Sequence, residues 1–119
     1  MAGGVSVEVF AGADQNYKVT VDQLEAARTE KTKAMLLCSP SNPTGSVYTR
    51  DEVEAIGRWA LAHGVWIISD EIYQNVIYDG MKAYSVTEVV PEMIDTTILV
   101  NGVAKSFAMT GWRLGWMIG

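Results

Sequence analysis

Three short apolar segments constrain the fold of this chain more than any other feature. Ala34–Cys38, Val65–Ser69 and Thr97–Val100 are each largely apolar, and polar or turn-forming residues follow each one. Compact apolar runs of this kind are typical of strands that are buried on both faces of a parallel sheet. The sequence therefore predicts parallel strands whose carboxyl ends, and the loops that follow them, lie at one edge of a sheet.

Helical patterns separate these predicted strands. Thr20 with Gln23, and Thr49 with Glu52, form capping-box signals at the starts of two helices. Gly64 is a suitable left-handed C-cap for the second helix. Alternating strands and helices predict an α/β fold with a mostly parallel sheet and helices on both faces. The two predicted helices are Val21–Thr29 and the segment from Thr49 to Gly64.

The remaining segments carry weaker patterns. Gly3–Val9 alternates like a strand, Asp70–Tyr78 favours a short helix, and Leu114–Gly119 is strand-like. Because the first and last of these segments look like interrupted strands, we expect the chain to be a segment of a larger domain.

Composition excludes several classes of function. The net charge of −5, without a cluster of Lys or Arg, argues against binding to nucleic acid or to an anionic membrane. Cys38 is the only cysteine and His63 the only histidine, so this chain alone forms neither a disulfide nor a Cys/His zinc site. No apolar run is long enough to span a bilayer. We expect a cytoplasmic protein that acts on small molecules.

Polar side chains with distinct chemistry follow the predicted strands. Asn42 comes after the first strand, Asp70 and Tyr73 after the second, and Lys105 after the third, with Arg113 further along. An amine, a carboxylate, a phenol, an amide and a guanidinium are thereby predicted at one edge of the sheet. The amine can bind an aldehyde and the carboxylate a ring nitrogen. The phenol and the amide can both bind a ring oxygen, and the guanidinium can bind a phosphate.

The motifs that carry these residues resemble those of a known enzyme family. They are Ser39–Gly45 (SPSNPTG), Ser69–Tyr73 (SDEIY) and Asn101–Arg113 (NGVAKSFAMTGWR). In order and spacing they resemble the class I, fold-type I aminotransferases that depend on pyridoxal 5'-phosphate, and most of all the bacterial aspartate aminotransferases. The resemblance covers essentially the whole chain.

The resemblance implies a role for each candidate residue. Lys105 matches the Schiff-base lysine, which also serves as general base, and Asp70 matches the carboxylate that pairs with the pyridine nitrogen. Tyr73 and Asn42 match the residues that bind the phenolic oxygen of the cofactor, and Arg113 matches the phosphate-binding arginine. Lys105, Asp70 and Tyr73 are thus the expected catalytic residues, and no metal is expected.

Each candidate also has a plainer interpretation. Lys105 could be a solvated surface lysine, although its small and apolar neighbours favour the functional role. Asp70 could cap a helix, Tyr73 could pack, Asn42 could be a turn residue and Arg113 could form a surface ion pair.

The chain departs from the family pattern at the phosphate site. Many relatives have serine where Gly102 and Ala104 stand here, so phosphate binding is expected to depend more on Arg113. The resemblance also implies that the phosphate loop and the carboxylate-binding arginine lie outside this stretch. We therefore expect residues 1–119 to be part of the large cofactor-binding domain, without the phosphate-loop region and the small domain.

The resemblance implies transamination between an amino acid, with aspartate preferred, and a 2-oxo acid such as 2-oxoglutarate, in a homodimer. Two alternatives remain open: an inactive cofactor-binding fragment, and a related pyridoxal-phosphate enzyme such as a carbon–sulfur lyase. Hydrolysis by Asp70 and Glu71 is disfavoured because adjacent side chains do not face a common substrate.

Overall fold

A four-stranded sheet with helices packed against it forms the structure, a computed structural model that describes residues 3–119. Short 3-10 helices occur at Ala13–Gln15, Pro91–Thr96 and Thr110–Trp112. In chain order, the other elements are α1 (Val21–Ala27), β1 (Ala34–Cys38), α2 (Arg50–His63), β2 (Trp66–Asp70), α3 (Val86–Val89), β3 (Thr97–Gly102), α4 (Val103–Ser106) and β4 (Gly115–Ile118).

The sheet has the strand order β1-β2-β3-β4, in which β1, β2 and β3 are parallel and β4 is antiparallel to β3. The register places Cys38 beside Asp70, and Asp70 beside Val100. The carboxyl ends of the three parallel strands therefore lie at one edge, as the sequence predicted. The predicted α/β fold with a mostly parallel sheet is confirmed.

The hydrophobic core lies between one face of the sheet and the helices α1, α2 and α3. Leu37 and Ile67 enter it from the sheet, and Ile56 and Ala60 enter it from α2. The opposite face is more open, since Leu36 is 69% exposed although its strand reads as buried on both faces. The core residues are Leu24, Leu37, Tyr48, Val53, Ile56, Trp59, Ala60, Val65, Ile67, Val86, Val89, Val90 and Met93.

Both predicted capping boxes are present. The side chains of Thr20 and Thr49 accept hydrogen bonds from the third residues of α1 and α2, whose side chains bond back to the capping residues. Gly64 ends α2 in the left-handed conformation with φ 62°, as predicted. Helix α1 ends at Ala27, two residues before the predicted end at Thr29, because Arg28 is already extended.

Two predicted elements are wrong. Residues 3–9 form no strand, and Val5 is 92% exposed, because no strand in the described part of the chain pairs with them. The segment after Asp70 forms turns and not a helix. There the Asp70 carboxylate accepts a hydrogen bond from the Ile72 amide, and such a local side-chain bond competes with helical hydrogen bonding.

An ion-pair cluster joins α1 to α2 through Glu25. Its carboxylate accepts two hydrogen bonds from Arg28, at 2.9 and 2.7 Å, and one from the Trp59 indole at 2.8 Å. The imidazole of His63 lies 3.3 Å from the same carboxylate. The hydrogen bonds from Arg28, and then that from Trp59, lower the pKa of Glu25 to about 2.

Replacing Glu25 with Gln is expected to lower stability in a pH-dependent way. Because the folded pKa of Glu25 is depressed from 4.5 to about 2, the charged carboxylate stabilises the fold fully above pH 4.5, and this contribution is lost as the pH falls toward 2. The effect is small since Glu25 is 46% exposed. Urea unfolding of both proteins across this range measures it.

The exposed Glu30→Gln variant is the control for a change of surface charge. A stability difference between Glu25→Gln and the unsubstituted protein that stayed constant from neutral pH to about pH 2 would contradict the role of the cluster.

Close approach of β3 and β4 requires glycine at position 102. A Cβ atom there would lie 2.9 Å from the Leu114 carbonyl oxygen and 3.2 Å from the Cα of Gly115, both backbone atoms. The φ angle of Gly102 is −175°, which any residue adopts, so the requirement is one of space and not of backbone conformation.

Gly102→Ala is therefore expected to destabilise the protein by about 1–3 kcal/mol, because backbone atoms must move to make room for the methyl group. Gly111→Ala is the matched control, since no atom lies within 4 Å of a Cβ built at that position. Urea denaturation compares the two variants. Equal stability of both would show that β4 moves aside freely.

Candidate active site

The loop after β1 is held in a fixed shape. The buried Ser39 hydroxyl accepts a hydrogen bond of 3.2 Å from the amide of Tyr48, and the Ser41 amide donates to the Ser46 carbonyl at 2.9 Å. Asn42 lies within the loop that these bonds close. Its position relative to the sheet is therefore set by hydrogen bonds at both ends of the loop.

A hydrogen bond joins this loop to the turn after β2. The Asn42 side-chain amide donates to the Tyr73 hydroxyl at 3.2 Å, although the two residues are 31 positions apart. Both residues line a cavity of about 340 Å³, which Pro40 and Ile77 also border. Two candidates predicted from separate motifs thus meet.

Asp70 is the last residue of β2 and is half-buried. One carboxylate oxygen, Oδ1, accepts the Ile72 amide at 3.1 Å. Within residues 3–119 no hydrogen bond is formed by the other oxygen, Oδ2, which leaves it available to a ligand. Asp70 therefore caps a turn and not the helix that the plainer interpretation proposed, and one of its carboxylate oxygens has no partner among the described residues.

Cys38 lies beside Asp70 and was not predicted as part of this region. The two residues are paired across β1 and β2. Burial, followed by the negative charge of Asp70, raises the pKa of the Cys38 thiol. The sequence carried only part of this signal, because both residues end predicted parallel strands but the order of the strands in the sheet was not predicted.

Lys105 lies in α4, directly after β3, and its side chain is exposed. Its ammonium nitrogen is 5.5 Å from the centroid of the Tyr73 ring, within the range of a cation–π contact. Tyr73 therefore contacts both Asn42 and Lys105, and three predicted site residues from three motifs form one cluster.

Arg113 is exposed, and no hydrogen bond or ion pair joins it to the other four candidates within residues 3–119. Its guanidinium Nη1 donates to the carbonyl of Thr110 at 3.2 Å. The neighbouring Leu114 carbonyl accepts the amide of Val103 at 3.2 Å, which attaches the Arg113 turn to the start of α4. The guanidinium keeps further donors for a ligand.

These groups fit the cofactor that the resemblance implies. Pyridoxal phosphate presents an aldehyde, a pyridine nitrogen, a phenolic oxygen and a phosphate. Lys105, Asp70 and the Asn42–Tyr73 pair supply an amine, a free carboxylate oxygen and two ring-oxygen donors at one sheet edge. The Ser106 hydroxyl, one residue after Lys105, is buried without a hydrogen-bond partner in the described chain, so a polar partner is unaccounted for there.

Two other kinds of site are not found in residues 3–119. No group of three or more His, Cys, Asp or Glu side chains is arranged to hold a metal ion. No helix in this range is both long and apolar enough to cross a membrane.

Comparison with known proteins identifies relatives over the whole chain. The model of the family "Aminotransferase class I and II" matches residues 1–119. An aspartate aminotransferase of Streptomyces avermitilis is 57% identical over 100% of this chain and 29% of its own length. An asparagine–oxo-acid transaminase of Streptococcus mutans is 45% identical over 100% of this chain and 30% of its own length.

The fold has solved counterparts. The structure of aspartate aminotransferase from Thermus thermophilus with maleate matches 99% of this chain and 30% of that chain, with a TM-score of 0.91 and 42% identity. The chain thus spans about 30% of the length of such relatives. Since the family model matches every residue and the fold agrees, the chain belongs to the class I and II aminotransferase family.

Proposed function

We propose that this chain binds pyridoxal 5'-phosphate through Lys105 and takes part in transamination between an amino acid and a 2-oxo acid. The observation that carries this proposal is the contact of Tyr73 with both Asn42 and Lys105, at 3.2 Å to the Asn42 amide and 5.5 Å from the ring to the lysine nitrogen. Because the chain spans about 30% of the length of its relatives, complete turnover is not proposed for this stretch alone.

Asp70 acts on the ring of the cofactor. When bound, pyridoxal phosphate supplies an aldehyde that condenses with an amine with release of water, and a ring that accepts the electron pair left on the substrate α-carbon. The free Oδ2 of Asp70 accepts a hydrogen bond from the protonated ring nitrogen and favours that protonated form. Oδ1 stays bonded to the Ile72 amide, which keeps the carboxylate from rotating.

Lys105 holds and moves a proton. With the cofactor and substrate bound, Lys105 Nζ would take the proton from the substrate α-carbon, and the resulting ammonium would donate it to a second carbon of the same bound molecule. Contact with the Tyr73 ring stabilises the ammonium form between these two transfers. One side chain thereby serves both directions of proton transfer.

Tyr73, Asn42 and Arg113 bind the remaining polar groups of the cofactor. The Tyr73 hydroxyl and the Asn42 amide lie together and both can donate to the phenolic oxygen. Arg113 binds the phosphate with donors that its bond to Thr110 leaves free. Gly102 and Ala104 contribute no hydroxyl to that phosphate.

Aspartate is the proposed amino-acid substrate, with 2-oxoglutarate as the acceptor. The 57% identical relative is an aspartate aminotransferase, and the Thermus thermophilus enzyme was solved with maleate, a four-carbon dicarboxylate. Another relative is named an asparagine–oxo-acid transaminase, so asparagine is the alternative amino-acid substrate. We also propose that the protein is a homodimer in the cytoplasm, on the basis of the family resemblance alone.

Replacement of Lys105 with Ala is expected to abolish covalent capture of the cofactor. The purified protein is mixed with pyridoxal phosphate and treated with borohydride, and mass spectrometry locates the reduced adduct. Because only a positioned amine competes well for the aldehyde, we expect an adduct on Lys105 and a loss of at least about 10-fold in Lys105→Ala.

Lys31→Ala is the matched control, since Lys31 is an exposed lysine in a turn away from the sheet edge. It should retain the full Lys105 adduct. Equal labelling of all exposed lysines, with no preference for Lys105, would refute the proposed anchor.

Tyr73→Phe is expected to weaken binding of pyridoxal phosphate by about 5–10-fold, because the Asn42 amide loses its partner and the ring oxygen loses a donor. Fluorescence titration with the cofactor measures the dissociation constant. Tyr17→Phe serves as control, because it removes a hydroxyl from a side chain that is 50% exposed and does not line this cavity. An unchanged affinity for the cofactor in Tyr73→Phe would show that the Tyr73 hydroxyl does not bind the cofactor.

A further inference from the structure

Glu71 is a buried acidic residue to which the proposed chemistry gives no role. It is 7% exposed, and it follows Asp70 directly. Successive residues at the end of a strand point to opposite faces of the sheet. Glu71 therefore lies on the side of Ser69, where it lines a second cavity of about 340 Å³ with Ser39 and Tyr84, away from the Asp70 side.

Three hydrogen bonds fix Glu71 in place. Its carboxylate Oε1 accepts the hydroxyl of the buried Ser69 at 3.0 Å. Its amide donates to the Val100 carbonyl of β3 at 2.9 Å, and its carbonyl accepts the amide of Gln74 at 3.0 Å. Glu71 thus links the end of β2 to the neighbouring strand and to the turn that follows.

The two residues that Glu71 fixes are candidate cofactor contacts. Asp70 precedes it, and Tyr73 lies in the turn that the bond between Glu71 and Gln74 closes. The buried carboxylate can form its bond to Ser69 only on the core side, which directs the Asp70 side chain to the opposite side. Loss of that bond leaves a buried hydroxyl unpaired and removes one of the three hydrogen bonds that hold Glu71 between Asp70 and Tyr73.

We propose that Glu71 is a positioning residue that holds Asp70 and Tyr73 in the geometry that the cofactor requires, without touching the cofactor. This role presupposes that the chain binds pyridoxal phosphate as proposed above. The Ser69–Glu71 hydrogen bond is the element that carries it, so any acceptor of the same shape at position 71 preserves the function.

The first experiment needs no cofactor. Amide hydrogen exchange is measured at Ile72 and Gln74 in the unsubstituted protein and in the variants Glu71→Ala, Glu71→Gln and Ser69→Ala. We expect exchange at both amides to be about 10-fold faster or more in Glu71→Ala and Ser69→Ala, and unchanged in Glu71→Gln, whose amide oxygen still accepts the Ser69 hydroxyl. The Ala60 amide within α2 reports any loss of global stability.

The second experiment adds pyridoxal phosphate and records visible circular dichroism of the bound cofactor, with its dissociation constant. Glu71→Ala and Ser69→Ala should lose the induced signal and bind about 10-fold more weakly, whereas Glu71→Gln should retain both. Should Glu71→Ala fail to fold, Ser69→Ala decides, because it removes only the donor of the bond.

The outcomes separate the two proposals. Unchanged exchange at Ile72 and Gln74 in both Glu71→Ala and Ser69→Ala would overturn the role of Glu71 and leave cofactor binding intact. Faster exchange together with an unsubstituted protein that captures no cofactor on Lys105 would confirm the anchoring of the turn and overturn the proposed function.

Discussion

The alignment of three parallel strand ends is the constraint on which the rest of the structure depends. Main-chain bonds continue this alignment past the strands, from the Ser39 amide to the Asp70 carbonyl and from the Glu71 amide to the Val100 carbonyl. Because each strand stops at the same edge, the loops that follow are neighbours in space although they are distant in sequence. The candidate site residues of this chain lie at the ends of these strands, in the loops that follow, or further along the chain beyond them.

Tyr73 is the point at which the separate loops become one site. Its hydroxyl accepts a hydrogen bond from Asn42 and its ring faces the nitrogen of Lys105, so a single side chain contacts residues from two other motifs. A turn and not a helix presents it, since the Asp70 carboxylate and the Glu71 carbonyl close that turn locally. The backbone turn beside Asp70 thus sets the orientation of the Tyr73 ring, which contacts the Lys105 ammonium.

The two helix-capping signals were predicted correctly. The capping boxes at Thr20 and Thr49 depend on residues three positions apart, and both formed as predicted. The predicted strand at residues 3–9 failed because alternation of apolar residues creates a strand only where a partner strand offers hydrogen bonds. The predicted helix after Asp70 failed because a side-chain oxygen took the amide hydrogen bond of Ile72.

The sequence by itself determined the three parallel strands, the two capped helices, their order, and which residues could carry chemistry, because helix caps, apolar runs and motifs depend on residues close together in sequence. Only the tertiary structure decided that Asn42, Tyr73 and Lys105 touch, that Cys38 lies beside Asp70, and that Glu71 is buried behind it. Such contacts depend on strand register and on the side of the sheet that each residue faces, and both are fixed only when distant strands pair.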